Sequence, residues 1–199
     1  YSHAEIQVEE NASDSAEQLA ILDDSLHVLN ERIKKEIDEA TDKKQATKVD
    51  IYKAHRGILK DEMILDEARR LIRAGKSAAF AWRSATDMAT KALSEIDNPL
   101  LRERIVDFKD VERRMLRTIL GMDEETLTLP DNTILVARDL APSDLAKFDN
   151  AAGYLLADGS STSHVSLIIR NIGTACLVNA GASVLNIPNG TDIILNAND

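Results

Sequence analysis

The sequence predicts an α/β domain carrying an inserted antiparallel α-helical bundle. Three observations predict it. Apolar residues recur at helical spacing from Leu19 to Ile119. From Ile134 onward, short β-type runs alternate with short helical stretches. The composition also changes near Gly121. Residues 1–121 hold 21 of the 24 basic and 24 of the 34 acidic side chains, and residues 122–199 hold the remaining 3 and 10. Five of the eight glycines and three of the four prolines fall in the second part. A boundary there assigns residues 1–12 and 122–199 to the α/β domain and residues 13–121 to the bundle.

The elements follow in order. Residues 4–8 read as a strand that joins the α/β sheet. In the first helix Leu19, Leu22, Leu26, Leu29, Ile33 and Ile37 draw one apolar stripe. Asp14, with Glu17 three residues on, resembles a capping box. A second helix is expected at about 43–60 and a third at about 61–74, ending at Gly75. A fourth starts at Ser77 and uses Phe80, Ala81, Ala85, Met88, Ala92 and Ile96 before Asp97-Asn98-Pro99 ends it. The fifth runs from Pro99 through Leu101, Ile105, Phe108, Val111 and Met115 to Ile119, and Gly121 closes it. Short connections between these helices imply an antiparallel bundle. Beyond it, strands are expected at Ile134–Ala137, Tyr154–Ala157, Ala175–Asn179 and Ile193–Asn196. Helices are expected at about 143–149, with Ser143 as N-cap, and at about 163–171.

Composition narrows the function. The 199 residues carry a net charge of −10 and a pI near 4.9. Nucleic acid and anionic membrane surfaces need a basic face, so neither is expected as the main partner. No apolar run approaches the roughly 20 residues of a membrane span. The lone Cys176 sits in an apolar run and cannot form an internal disulfide, which fits a reducing cytoplasm. The chain begins at Tyr1 without an initiator Met and reads as a piece of something longer. There is no metal-ligand cluster and no P-loop. Trp82 and Phe80 read as bundle core.

Of the four histidines, His3 lies near a terminus and His27 at the edge of the first helical face. His164 has a different setting. Asp158-Gly159-Ser160-Ser161-Thr162-Ser163-His164 follows a strand, crosses a Gly/Ser/Thr loop and opens a helix. A helix N-terminus offers unpaired N–H groups and the positive end of its dipole, which suits a phosphate. Thr162 and Ser163 add hydroxyl donors. A neutral imidazole is a nucleophile near pH 7, so such a site can take a phosphoryl group on a ring nitrogen and pass it on. An N-cap loop with an incidental histidine is the plain structural alternative. Arg170 lies about 600° around the helix from His164 and does not share its face. It either binds phosphate from a neighbouring position or caps the helix C-terminus.

Thr162-Ser163-His164 with Arg170 six residues on resembles the phosphohistidine signature of the PEP-utilising enzymes. Three further stretches carry the resemblance to Enzyme I of the sugar phosphotransferase system. Ile134 through Ser143 (ILVARDLAPS) resembles the strand and turn before the site. Ala54-His55 through Leu59, Asp61 and Glu62 resembles a bundle helix, and Arg113 through Gly121 resembles the last one.

The resemblance implies a phosphohistidine, swivelling-type α/β domain with an inserted bundle that binds HPr, the histidine-containing carrier. It implies that His164 accepts phosphoryl on Nε2, assisted by Thr162, Ser163 and Arg170 or Arg138. It places Ile51, His55, Ile58 and Asp61 in or near the docking surface. It implies no cofactor in this fragment, because PEP and Mg²⁺ bind a separate C-terminal barrel. The chain departs from the pattern at Ala141, where a Thr that bonds the active histidine is usual, at Ser160-Ser161, and at Asn179, where Gly is common. Lys48, Lys53, Arg56 and Lys60 stand where Enzyme I is more acidic, which points to a different choice of partner. Alternatives are the Enzyme I-like domain of the multiphosphoryl protein serving dihydroxyacetone kinase (DhaM), a non-catalytic interaction domain that has kept the fold, and a dikinase swivelling domain.

Overall fold

The computed structural model describes residues 6–122, 129–161 and 163–196, and for residues 99–103, 146 and 164 the backbone alone. The chain divides into two compact units, Glu5–Glu125 and Tyr1–Ala4 with Thr126–Asp199.

The first unit holds five helices: α1 (Ser15–Asp42), α2 (Ala46–Leu59), α3 (Glu62–Arg73), α4 (Ala78–Glu95) and α5 (Pro99–Ile119). The starts of α1, α3 and α4 have side-chain caps. The Asp14 carboxylate accepts from the N–H groups of Ala16 (2.9 Å) and Glu17 (3.1 Å). Asp61 caps α3 in the same way through Met63 and Ile64, and the Ser77 hydroxyl accepts from Phe80 N–H. These contacts satisfy donors that a helix start otherwise leaves unpaired. α1 packs on α2 and α5, α3 on α4, and α4 on α5. The expected stripe of α1 faces inward: Leu22, Leu29 and Ile33 are fully buried. Trp82, Ile64, Ile72, Met115 and Leu116 complete the core, while Phe80 is only half-buried. His27 is exposed, and His3 lies outside the described residues.

Residues 6–12 differ from the expectation. Residues 4 and 5 lie outside the described residues, and 6–8 form no strand. The segment is instead tied to the α3–α4 connection. Ala12 N–H donates to Gly75 O, Ser77 N–H to Glu10 O, and Arg83 donates to Ile6 O. Ile6 is buried without strand pairing, its carbonyl satisfied by the Arg83 guanidinium of α4.

The second unit holds a parallel sheet of order β1-β2-β3, with β1 Ile134–Ala137, β2 Gly153–Leu156 and β3 Ala175–Leu177. Helices α6 (Pro142–Lys147) and α7 (His164–Asn171) make the crossovers, and a 3₁₀ turn covers Ala182–Asn186. β2 is buried along its whole length, as the central strand of such a sheet must be. The strand expected at Ile193–Asn196 does not form. Leu195 instead lies over β2, its Cδ2 occupying the space a Cβ on Gly153 would need. Ser143 is not the N-cap of α6. Ala141 caps it, and Ser143 is buried inside the first turn. Proline is suited to the first helical position, which moves the cap one residue before Pro142.

Candidate functional site

The C-terminal ends of the three strands converge on one loop. Asp158 N–H donates to Arg138 O and Ala157 N–H to Ala137 O, which ties the end of β1 to the segment after β2. Asn179 N–H donates to Asp158 O and Gly181 N–H to Ala157 O, which ties in the segment after β3. Ligands of open α/β sheets bind outside the carboxyl ends of the strands, and the Ser160–Ser163 loop starts there. Gly159 has φ +93°, a region open mainly to glycine. Asn179 has φ +55°. Asparagine tolerates that left-handed region better than most residues.

The loop is folded back on itself. Ser163 N–H donates to Ser160 O (3.0 Å). Ser163 is the N-cap of α7, its hydroxyl accepting from Ser166 N–H at 3.2 Å. The hydroxyls of Ser163 and Ser166 are 2.8 Å apart, and that of Ser166 donates to Ser160 O at 2.7 Å. Ser166 is the functional neighbour that the sequence reading missed. Its position three residues after the N-cap is where a capping partner sits, and that spacing was the available signal.

This frame makes His164 the first residue of α7. Its backbone sits at the positive end of the helix dipole, beside N–H groups that have no partner within the helix. Thr162 and the His164 side chain lie outside the described residues. Arg170, in the last turn of α7, extends its guanidinium back to Ser161 O at 3.4 Å. Its charge therefore lies at the loop. Arg138 forms a 3.5 Å ion pair with Asp158, both side chains more than half exposed. A cleft of about 650 Å³ adjoins the loop, lined by Ser161, Ser166, Arg170 and the stretch from Gly173 to Val178. Cys176 is half-buried there, and burial pushes its thiol up, away from thiolate chemistry.

Ala141 brings no hydroxyl to this end of the sheet. Its N–H is held by the Asp144 carboxylate at 2.8 Å.

The residues read as a docking surface are placed otherwise. Ile51, His55 and Ile58 are 6%, 0% and 7% exposed. They belong to the bundle core, because α2 turns the face that carries them inward. His55 Nε2 lies 3.6 Å from Asp110 and 3.9 Å from Asp107, both on α5. Asp61 is the half-buried N-cap of α3.

Comparison with known proteins agrees with this architecture. Residues 2–104 match the family described as PEP-utilising enzyme, N-terminal, and residues 129–199 match PEP-utilising enzyme, mobile domain. The chain belongs to the PEP-utilising enzymes. It is 30% identical over 180 residues to a multiphosphoryl transfer protein of Xanthomonas campestris, covering 88% of this chain and 22% of that protein. It is 28% identical over 189 residues to the phosphoenolpyruvate-protein phosphotransferase of Bacillus subtilis, covering 93% and 33%. The chain thus spans between about a fifth and a third of the length of these curated relatives. Its fold resembles a solution structure of Enzyme I, with TM-score 0.73 at 22% identity over 92% of this chain and 77% of the other. It also resembles a structure described as the N-terminal domain of Enzyme 1 - Nitrogen, with TM-score 0.64 at 20% identity over 93% and 80%. Among the described residues no helix is long and apolar enough to cross a membrane.

Proposed function

We propose that this chain is the phosphoryl-relay portion of a phosphotransferase, carrying phosphate on His164 and exchanging it with the active histidine of an HPr-like carrier. The observation that carries the reading is the Ser160–Ser163 turn, which opens α7 with His164 as its first residue at the carboxyl end of the sheet.

In this reading the Nε2 lone pair of His164 attacks the phosphorus held on the carrier's imidazole. The new N–P bond forms as the old one breaks, and the carrier nitrogen recovers its lone pair. Charge on the transferring group is spread over its equatorial oxygens, so positioning and charge stabilisation supply most of the catalysis. The first-turn N–H groups of α7, the hydroxyls of Thr162 and Ser163, and the Arg170 and Arg138 guanidiniums are the groups suited to that role. In this reading the relay step itself needs no cofactor. PEP and Mg²⁺ belong to a separate barrel, and the relay works in the cytoplasm.

Ala141, with no hydroxyl for the active histidine, favours one second reading: an interaction domain that has kept the fold without the chemistry. Phosphorus NMR or intact mass separates the two. Label arriving from a phosphorylated HPr-type carrier, and not from PEP with Mg²⁺ alone, is expected for the relay. No label from either, with the fold intact, would sink it in favour of the interaction domain.

A further inference from the structure

In a chain with ten more negative than positive charges, residues 43–60 hold six cations against one carboxylate, Asp50. The exposed positions of α2 are Ala46, Asp50, Lys53 and Gly57, and its C-cap Lys60 continues them, at spacings of four, three, four and three residues. That spacing is one continuous stripe on the side of α2 opposite Ile51, His55 and Ile58. Several cations elsewhere in the bundle are matched: Arg69 with Asp23, Lys76 with Glu10, Lys109 with Asp87 and Arg114 with Glu36. The unmatched ones among the described residues outside 43–60, such as Lys34, Arg73, Lys91 and Arg104, are scattered along the sequence. Among the described residues Lys53 and Lys60, like Lys43 and Lys44 just before the helix, have no carboxylate within ion-pair distance.

Gly57 makes the stripe more informative. Glycine is among the least favourable residues in a helix interior. A Cβ at this position would meet nothing within 4 Å, so nothing inside the fold requires its absence. The glycine leaves the helix backbone bare between the two lysines, which permits close approach of another surface there. Met63, 75% exposed just past the α2–α3 turn, adds an adaptable apolar contact of the kind used at binding surfaces.

We propose that the Lys53–Gly57–Lys60 stripe is the docking face for a compact carrier protein whose own docking face is acidic. The inference rests on the relay reading above and names the chemistry of its partner. Opposite charge steers encounter and fixes orientation. A long polyanion such as DNA is disfavoured, because it would run from the stripe onto the acidic remainder of the molecule.

The test uses the full chain and two phosphorylated HPr-type carrier domains, one acidic and one basic around its active histidine. The acidic carrier is expected to label the chain about tenfold faster at low salt, with the advantage vanishing at high ionic strength. Lys53→Glu with Lys60→Glu is expected to lower that rate about tenfold. Gly57→Ala is expected to raise the melting temperature and slow the transfer. Faster labelling by the basic carrier, or indifference to the double charge reversal, overturns the proposal and leaves the relay reading standing. Label from neither carrier overturns the relay reading instead. NMR titration of the unphosphorylated acidic carrier then decides the surface alone. Shifts at Lys53, Gly57 and Lys60 support it, and shifts elsewhere or none overturn it. Tighter binding of a DNA duplex than of either carrier through the same lysines also overturns it.

Discussion

His55 Nε2 lies 3.6 Å from an Asp110 carboxylate oxygen, with both side chains wholly removed from solvent. The groups around the imidazole are Asp110 and Asp107, and, at longer range, Arg114 and Arg113. Neither ring nitrogen makes a hydrogen bond. Burial dominates and lowers the histidine to about 4, the attraction of Asp110 opposing it and the two arginines reinforcing it.

The pH dependence follows from that. The unfolded chain binds a proton at this histidine near pH 6.5, which the folded chain refuses until about pH 4. Between these values the unfolded state holds more protons, so stability falls as pH drops from 6.5 toward 4 and is independent of His55 above that window. The full effect is about 3 kcal/mol at the acid end. Denaturant unfolding at pH 7 and pH 4.5 measures it, and His55→Leu is expected to flatten the difference. An unchanged slope in that variant would assign the acid lability to other groups.

Ser163 combines two roles that substitution can separate. Its hydroxyl caps α7 and contacts Ser166. Ser163→Ala is expected to cost about 1 kcal/mol of stability and to slow phosphoryl capture. Ser163→Asp restores a good cap, yet sets a carboxylate beside the incoming phosphate. Stability is therefore expected to recover while transfer stays low. Recovery of both would reduce Ser163 to a helix cap.

His164→Ala removes the proposed nucleophile from the first turn of α7 without touching the Ser160–Ser163–Ser166 hydrogen bonds. Circular dichroism is expected to be unchanged and acid-labile phosphate to disappear. Phosphate retained in this variant would move the covalent site elsewhere.

Tyr154 tests how the α/β unit is held together. Its hydroxyl donates to Phe148 O at 2.8 Å from a fully buried position in β2, and burial pushes it up to about 12. Tyr154→Phe leaves the Phe148 carbonyl unpaired and is expected to cost about 1–2 kcal/mol, read from the denaturation midpoint. No loss would mean that water replaces the bond.

Much of this protein was determined locally. Asp14 and Ser77 start their helices where the sequence reading expected them, because a cap needs only a side chain and an amide two or three residues away. The α7 start at His164 was legible for the same reason, whereas the Ile134–Ala137 run forms a strand because it also finds a partner in β2. The tertiary structure decided the rest. Residues 6–8, within the 4–8 run, and Ile193–Asn196 have the composition of strands, but strand formation needs a partner edge that composition does not contain. His55 carries a polar side chain on a helix that also has an exposed face. Only the packing of α2 on α1 and α5 shows that it turns inward to Asp107 and Asp110. The same rotation leaves Lys53, Gly57 and Lys60 facing out. A helix period says which residues share a face. The neighbours that remove water from one side of the helix decide which face becomes the core.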